Sequence, residues 1–431
     1  MKPAFVNDHR LVHPSDDHGR QPSLSTMLGT QLTQMTSPLD SSMRSDGNLP
    51  RASLPLILAA SSFPPWDLHN GASLRLHGFL RELSICWRVH LVFVAPADHP
   101  SGTPASFFDH TVQIDASSSS GPSFVAALLD LERALAAEAE AERPTAIFRW
   151  TGTSPVSRQV GSHVPVIRDL IDCATFAEWV LFRTVPPKTA FLKIRGILRN
   201  FRDERRAVRS ADVCLAAGQR DAATLSSISG RKVLLVPNGV TIPTSRNDRA
   251  RLPTVVFSGT LDFPPNIEAL RWFVREIWPL VRERIPEACL TIVGKNAIAE
   301  IHHYDGAHGI SVHVNVPSMF EYLEQAWCSV APMRTGSGVK NKVLEAWAAS
   351  RPVVMTSHAV NGLRLPAGSE ALVKDDHREF AAALANLLTQ PALLEALGKA
   401  AREHVEQHYT WKAVTEPLTE ILEQCRLIER P

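Results

Sequence analysis

The stretch Pro332-Met333-Arg334-Thr335-Gly336-Ser337-Gly338-Val339-Lys340-Asn341-Lys342-Val343-Leu344-Glu345-Ala346-Trp347-Ala348 decides how this chain is read. An apolar run, Cys328–Ala331, feeds a glycine-flanked turn, and the turn feeds a helical pattern whose polar residues all sit in its first turns. No charge occurs from Ala346 to Ser350, so the helix is expected to be buried along its length and functional at its tip. A helix N-terminus offers free N–H groups and a partial positive charge, which together bind phosphate. Lys340 and Lys342 add full charges there, and a charge-assisted hydrogen bond is worth roughly 1.5–3 kcal/mol. Glu345 falls on the same face as Asn341 and Lys342. A carboxylate one turn behind a phosphate site suits a ribose diol. On the string alone, a plain turn with solvated lysines and a Lys342–Glu345 surface pair explains the pattern as well. It is not a Walker loop, because the Gly-Lys-Ser/Thr ending is missing, and the chain has no GxGxxG.

Composition sets the frame. With 431 residues, two or three domains and an ample core are expected. Hydrophobic residues make up 44% and charged residues 21%, as in ordinary globular enzymes. A formal net charge of +1 gives no bulk attraction to nucleic acid, and no basic patch with exposed aromatics points to one. The 6 cysteines (Cys86, Cys173, Cys214, Cys289, Cys328, Cys425) are scattered without CxxC and mostly lie in apolar runs. They read as reduced core residues of a cytoplasmic protein. No apolar run is long enough to span a membrane. Leu54-Pro55-Leu56-Ile57-Leu58-Ala59-Ala60-Ser61-Ser62 imitates a signal-peptide core, but a first buried parallel strand looks the same and is the expectation.

Residues 1–50, rich in Ser, Thr, Asp, Pro and His, read as a disordered tail, and a start at Met27, Met35 or Met43 is equally compatible with that reading. From Leu54 onward short apolar runs alternate with helical patterns. Strands are expected at Leu54–Ala60, Val89–Val94, Thr145–Phe148, Val164–Asp169, Val213–Ala217 and Val233–Val236, with helices over 71–84 and 124–141. A linker at 241–253 follows, and the alternation restarts. Strands are expected at Thr254–Ser258, Ala288–Val293, Ser311–Val316, Cys328–Ala331 and Pro352–Met355, with helices over 267–284, 341–348, 378–397 and 399–428. Such alternation implies parallel β–α–β units. The expected architecture is α/β, with two doubly wound Rossmann-like domains (51–245 and 254–410) facing a central cleft. A last helix (411–431) returns toward the first domain. Ligands in such sheets lie beyond the carboxyl ends of the strands, which is where the Gly336 turn falls.

The C-terminal half resembles glycosyltransferase family 4, of the GT-B fold. The resemblance rests on an ordered series: Val255-Val256-Phe257-Ser258-Gly259-Thr260-Leu261-Asp262, Pro265-Asn266, Trp272-Phe273, Ile277-Trp278-Pro279, Pro286-Glu287-Ala288 and Ile292-Val293-Gly294. Val316-Pro317, Tyr322-Leu323, the Gly336–Ala348 segment, Arg351-Pro352-Val353-Val354 and Asn361-Gly362-Leu363 complete it. The series is similar to bacterial sugar transferases of exopolysaccharide clusters. Upstream, Phe63-Pro64-Pro65-Trp66-Asp67-Leu68-His69-Asn70-Gly71 with Arg75 resembles the first acceptor-side loop, and Val236-Pro237-Asn238-Gly239-Val240 the strand end before the linker.

The resemblance implies retaining transfer of a sugar from a nucleotide diphosphate sugar to a glycan or lipid-linked acceptor. It assigns donor binding to Gly259, Thr260, Gly294, Val316, Gly336, Ser337, Gly338, Val339, Lys340 and Asn341. Catalytic roles fall to Lys342, Glu345 and Asp172, and the acceptor side to Asn70, Gly71, Arg75 and Asp169. Glu345 matches the Glu that contacts the donor ribose, and Gly294 and Val316 match positions flanking the base. Two departures stand out. Ser337 occupies the place of the motif's earlier Glu, and Thr260 follows Gly259 where many relatives carry Arg. Lys340 and Lys342 then supply the charge facing the diphosphate. The fold needs no metal or other cofactor, and no DxD-like pair is placed to hold one. A nucleotide-sugar epimerase of the same fold, or a non-catalytic nucleotide-sugar-binding subunit, remains an alternative.

Asp169 and Asp172 follow a strand that should face the cleft, with helix capping as the plain alternative. Arg75 could equally snorkel to solvent, and His302-His303 reads as surface. Lys193–Arg209 interleaves Lys193, Arg195, Arg199, Arg202, Arg205, Arg206 and Arg209 with apolar residues. That pattern fits either an amphipathic helix on an anionic membrane, placing the protein peripherally on the inner face of the cytoplasmic membrane, or a helix packed on its own domain with a solvated basic face.

Overall fold

The computed structural model describes residues 50–66, 71–96, 106–117, 121–153, 164–182, 187–244, 249–336 and 338–428. Residues 1–49 of the expected tail, and with them His69, Asn70 and Ser337, lie outside the described residues.

Two parallel sheets carry the fold. The first comprises β1 (Leu56–Ser61), β2 (Arg88–Pro96), β3 (His110–Ala116), β4 (Ala146–Trp150), β5 (Val166–Asp169), β6 (Val213–Ala216) and β7 (Leu234–Leu235). Their order across the sheet is β3-β2-β1-β4-β5-β6-β7. The second comprises β8 (Thr254–Thr260), β9 (Cys289–Lys295), β10 (Ile310–Val314), β11 (Cys328–Ala331) and β12 (Val353–Met355), in the order β10-β9-β8-β11-β12. The strand order of each sheet reverses once, between β1 and β4 and between β8 and β11, and a crevice opens at such a switch point. Every residue of β1 is buried, as a central parallel strand requires, and this resolves the signal-peptide imitation. The polar strand β3 is not among the sequence expectations. It lies at the sheet edge, where only one face and one side need partners, so its residues alternate without an apolar run.

Helix boundaries depart from the sequence reading near Pro391, Thr410 and Pro279. The expected helices over 378–397 and 399–428 are three: His377–Leu388, Pro391–His408 and Trp411–Ile428. Pro391 disfavours helical geometry at Gln390 before it, and then starts a new helix itself. The expected helix over 267–284 runs from Pro264 to Arg284 but widens to a π turn at Phe273–Ile277. Pro279 lacks the N–H that would close the regular ladder onto residue 275.

The lobes meet along the chain's return. Val240 bridges to Thr410, and the Trp411 indole fills the space above Gly78 and Gly239. A Cβ on Gly78 would lie 2.3 Å from that ring, so this packing requires glycine. Among the described residues no single helix is long and apolar enough to cross a membrane. Cys173, Cys214, Cys328 and Cys425 are buried and Cys289 is partly so, but Cys86 is exposed.

Candidate active site

β11 ends at Ala331, and Gly336 (φ 96°) and Gly338 (φ 73°) turn the chain through left-handed geometry into the helix Asn341–Ala348. This helix starts at the β8/β11 switch point. Lys342 is buried, with its Nζ donating to Asn266 Oδ1 at 2.8 Å and lying 3.9 Å from the centre of the Phe257 ring. Among the described residues no carboxylate comes within salt-bridge distance of it. Asn266 is fixed in turn by donating from Nδ2 to the Thr260 carbonyl at 2.7 Å. Gly259 has a left-handed backbone angle (φ 146°) that favours glycine, and a Cβ there would stand 3.0 Å from Asn266 Nδ2 and 3.1 Å from Lys342 Nζ. Burial, and then Lys340, push the Lys342 ammonium down to about 7, against the pull of Glu345. The result is a buried cation held by neutral partners, an arrangement that an arriving anion stabilises.

Lys340 precedes the helix and donates to the Gly336 and Gly338 carbonyls, each at 3.2 Å. Burial lowers it to about 8, while Asp172 and Asp221 oppose the drop. Burial and then Asp221 raise the Asp172 carboxyl to about 6, with Lys340 and Arg75 opposing. A Cβ on Gly338 would meet Asp172 Oδ1 at 2.4 Å, so the Gly336–Gly338 turn lies directly on the first lobe. His358 Nε2 donates to the Gly336 carbonyl at 2.7 Å, and burial lowers its pKa.

A buried relay ties the helix tip to the N-terminal lobe. Asn238 Nδ2 donates to Asn341 Oδ1 at 2.7 Å, and Arg75 Nη1 donates to Asn238 Oδ1 at 2.9 Å. Arg75 Nε reaches Asp169 Oδ2 at 2.6 Å, and that oxygen also accepts from Trp150 Nε1 at 3.1 Å. Both side chains of the Arg75–Asp169 pair are fully buried. Arg75 therefore does not snorkel to solvent but holds Asp169, its partner in the expected acceptor-side set, inside the lobe. Gly71 opens the helix Gly71–Leu83 so close to Asn341 that a Cβ would lie 3.1 Å from Asn341 Nδ2. Two helix N-termini thus converge at one point.

On the far side of the crevice, Gly294 must lack a side chain, since a Cβ would fall 1.7 Å from the Gly259 carbonyl oxygen. Asn315 donates its N–H to the Gly294 carbonyl at 2.7 Å, and the partly exposed Val316 follows it. Thr260 and Glu345 are also partly exposed. Burial raises the Glu345 carboxyl and Lys342 lowers it.

The structure brings Gly259, Lys340, Asn341, Lys342, Gly336, Gly338 and Asp172 together. It adds Asn266, Asn238, Asp221 and His358, which the sequence reading does not assign to the site. Asn266 and Asn238 stand within motifs quoted above. Nothing local marks Asp221 or His358, because their partners lie far away in the chain. Among the described residues no three His, Cys, Asp or Glu side chains gather as a metal site.

Residues 252–390 match the family model described as glycosyl transferases group 1. An uncharacterized 44.6 kDa protein in the cps region of Klebsiella pneumoniae is 28% identical over 171 residues, covering 37% of this chain and 43% of that protein. The chain thus matches less than half the length of that relative. The crystal structure of WaaG, a glycosyltransferase involved in lipopolysaccharide biosynthesis, superposes with a TM-score of 0.59 at 13% identity, covering 85% of this chain and 99% of that one. Anabaena Alr3699/HepE in complex with UDP and glucose gives 0.57 at 13% identity, covering 85% and 99%. The chain has the GT-B fold, and its C-terminal lobe matches the group 1 glycosyl transferases over residues 252–390.

Proposed function

We propose that this protein is a retaining glycosyltransferase that moves a sugar from a nucleotide diphosphate sugar to a glycan or lipid-linked acceptor in cell-surface or exopolysaccharide synthesis. The observation that carries the reading is Lys342, a buried ammonium whose hydrogen-bond partners among the described residues are neutral, at the tip of a helix on a sheet switch point. The diphosphate would lie against the Asn341 helix tip, Lys342 and Lys340. Ribose would meet Glu345, and the base would lie between Gly294 and Val316. Breaking the glycosyl–phosphate bond builds negative charge on the leaving diphosphate, so cations fixed there act more strongly in the transition state than before it. In retaining transfer on one face, the leaving phosphate takes the acceptor proton. Asp172, beside Lys340 and with its carboxyl raised by burial to about 6, would orient that hydroxyl.

The acceptor lobe supports a place at an anionic lipid surface. On the helix Pro187–Arg209, Arg195, Leu198, Arg199, Arg202, Asp203 and Arg206 share one open, mostly basic face. Leu198 is 52% exposed and, on the helix Ala174–Phe182, Trp179 is 49% exposed, the amphipathic mixture that interfacial helices use.

The test is nucleotide release from a panel of nucleotide sugars, with and without glycan acceptors. Acceptor-dependent release supports transfer. Sugar conversion without release indicates an epimerase, and binding without turnover a non-catalytic subunit.

A further inference from the structure

We propose that Asp221 is a positioning residue that acts through Asp172: it braces the left-handed Ile171 turn and so fixes the Asp172 carboxylate where an acceptor hydroxyl enters. Ile171 has φ 64°, a geometry that a β-branched residue adopts only where its surroundings impose it. The Asp172 N–H donates to the Leu170 carbonyl at 2.7 Å, closing a three-residue γ-turn in its rare, strained form. The Ile171 carbonyl is tied to β6 by the Ala217 N–H at 2.8 Å. The other N–H groups of this segment reach carboxylates. Ile171 donates to Asp169 Oδ1 at 3.0 Å, Cys173 to Asp221 Oδ1 at 3.0 Å, and Ala174 to Glu204 Oε1. Those three acids are no more than 1% exposed. Burying a carboxylate is costly, so three of them on one short turn exceed what a plain connection needs. The turn carries Asp172 off the end of β5 and onto the donor lobe. There its Oδ1 fills the space above Gly338, 2.4 Å from where a Cβ would stand.

Of the three braces, Asp221 is the one that also faces the donor lobe. It stands, fully buried, in the first turn of the helix Gln219–Ser229. Burial raises its carboxyl, opposed first by the Cys173 N–H and then by Lys340 and the Gly338 N–H. After burial, Asp221 is the largest influence raising Asp172, with Asp169 adding to it and Lys340 and Arg75 opposing. A Cβ on Gly218 would lie 2.2 Å from Asp221 Oδ2, so glycine there leaves room for the carboxylate.

This inference rests on the reading in which Asp172 orients the acceptor hydroxyl, but its first test needs no substrate. The full chain, Asp172→Asn, Asp221→Asn and the double variant are unfolded in urea from about pH 4 to about pH 6.5. The folded chain holds the Asp172 proton up to about 6, and the unfolded chain only to about 3.9. Wild type should therefore lose stability relative to Asp172→Asn as pH rises through this window. With Asp221→Asn as the background the loss shrinks, because the neighbouring charge is gone. The same loss in both backgrounds overturns the proposal. The second test is acceptor-dependent nucleotide release. Asp221→Ala removes the acceptor of the Cys173 N–H and should lower kcat by about ten- to a hundredfold. Asp221→Asn keeps that acceptor, so it should recover most of the rate, while the rise of rate with pH that follows Asp172 ionisation moves to lower pH. In the Asp172→Ala background, Asp221→Ala should cost little more. Losses that multiply independently overturn the proposal. Should Asp221→Ala fail to fold, an unmoved pH profile in Asp221→Asn overturns it alone. If no acceptor-dependent release occurs, the glycosyltransferase reading fails separately, and the unfolding series decides whether Asp221 governs Asp172.

Discussion

Asn238 of the N-terminal lobe donates from its side-chain amide to Oδ1 of Asn341, the first residue of the helix that carries Lys342. This contact continues through Arg75 to Asp169, so the helix tip is positioned by groups that hold the first lobe together. Removing Arg75 leaves Asp169 as a buried charge without its cation. Arg75→Met is expected to lower unfolding free energy by about 3–5 kcal/mol. Asn238→Ala, which removes a neutral link, should lower it by about 1–3 kcal/mol. Urea unfolding of both variants checks the order, and an Asn238→Ala effect equal to that of Arg75→Met would contradict the relay.

Lys342 predicts a pH dependence with a definite sign. Its folded value of about 7 lies below the unfolded lysine value of about 10.4. Between these, the unfolded chain binds the extra proton, so this group's contribution to stability rises with pH from about 7 to 10, and its penalty is complete below about 7. Wild type should therefore gain stability relative to Lys342→Met between about pH 7 and pH 9. Parallel pH profiles of the two proteins in denaturant unfolding would contradict the burial of a cationic group here. Nucleotide binding should reverse the depression, with proton uptake measurable by calorimetry in buffers of different ionisation heat.

Much of this arrangement is legible in the sequence. The alternation of apolar runs and helical patterns outlines both sheets, because buried parallel strands need continuous apolar residues. The Gly336–Ala348 stretch marks the helix tip, because left-handed turns need glycine and a buried helix must place its charges at an end. Edge strand β3 is missed because one solvated side demands no apolar run. The helix breaks near Pro391 and Thr410 are misplaced because helical periodicity carries on through them. That Arg75 is buried rather than snorkelling is not legible, because its burial depends on Asp169 and Asn238, which lie far from it in the chain.

The basic face of the helix Pro187–Arg209 gives a prediction about surfaces. Cosedimentation with vesicles of anionic phospholipid should exceed that with zwitterionic vesicles, and should fall with salt. Near the surface each cation contributes about 1 kcal/mol, so Arg199→Glu with Arg202→Glu should weaken binding at least tenfold. Equal binding to both vesicle types would favour a solvated face.

The donor site itself is tested most directly by calorimetric titration of the full chain with UDP, GDP, ADP, TDP and CMP, in wild type, Lys342→Ala and Glu345→Ala. We expect one nucleoside diphosphate to bind the wild type. Its affinity should fall at least tenfold in Lys342→Ala, since a charged hydrogen bond is worth roughly 1.5–3 kcal/mol, and by about 1–3 kcal/mol in Glu345→Ala. Binding of none of these nucleotides, or the same affinity in Lys342→Ala as in wild type, would contradict a donor site at the Asn341 helix tip.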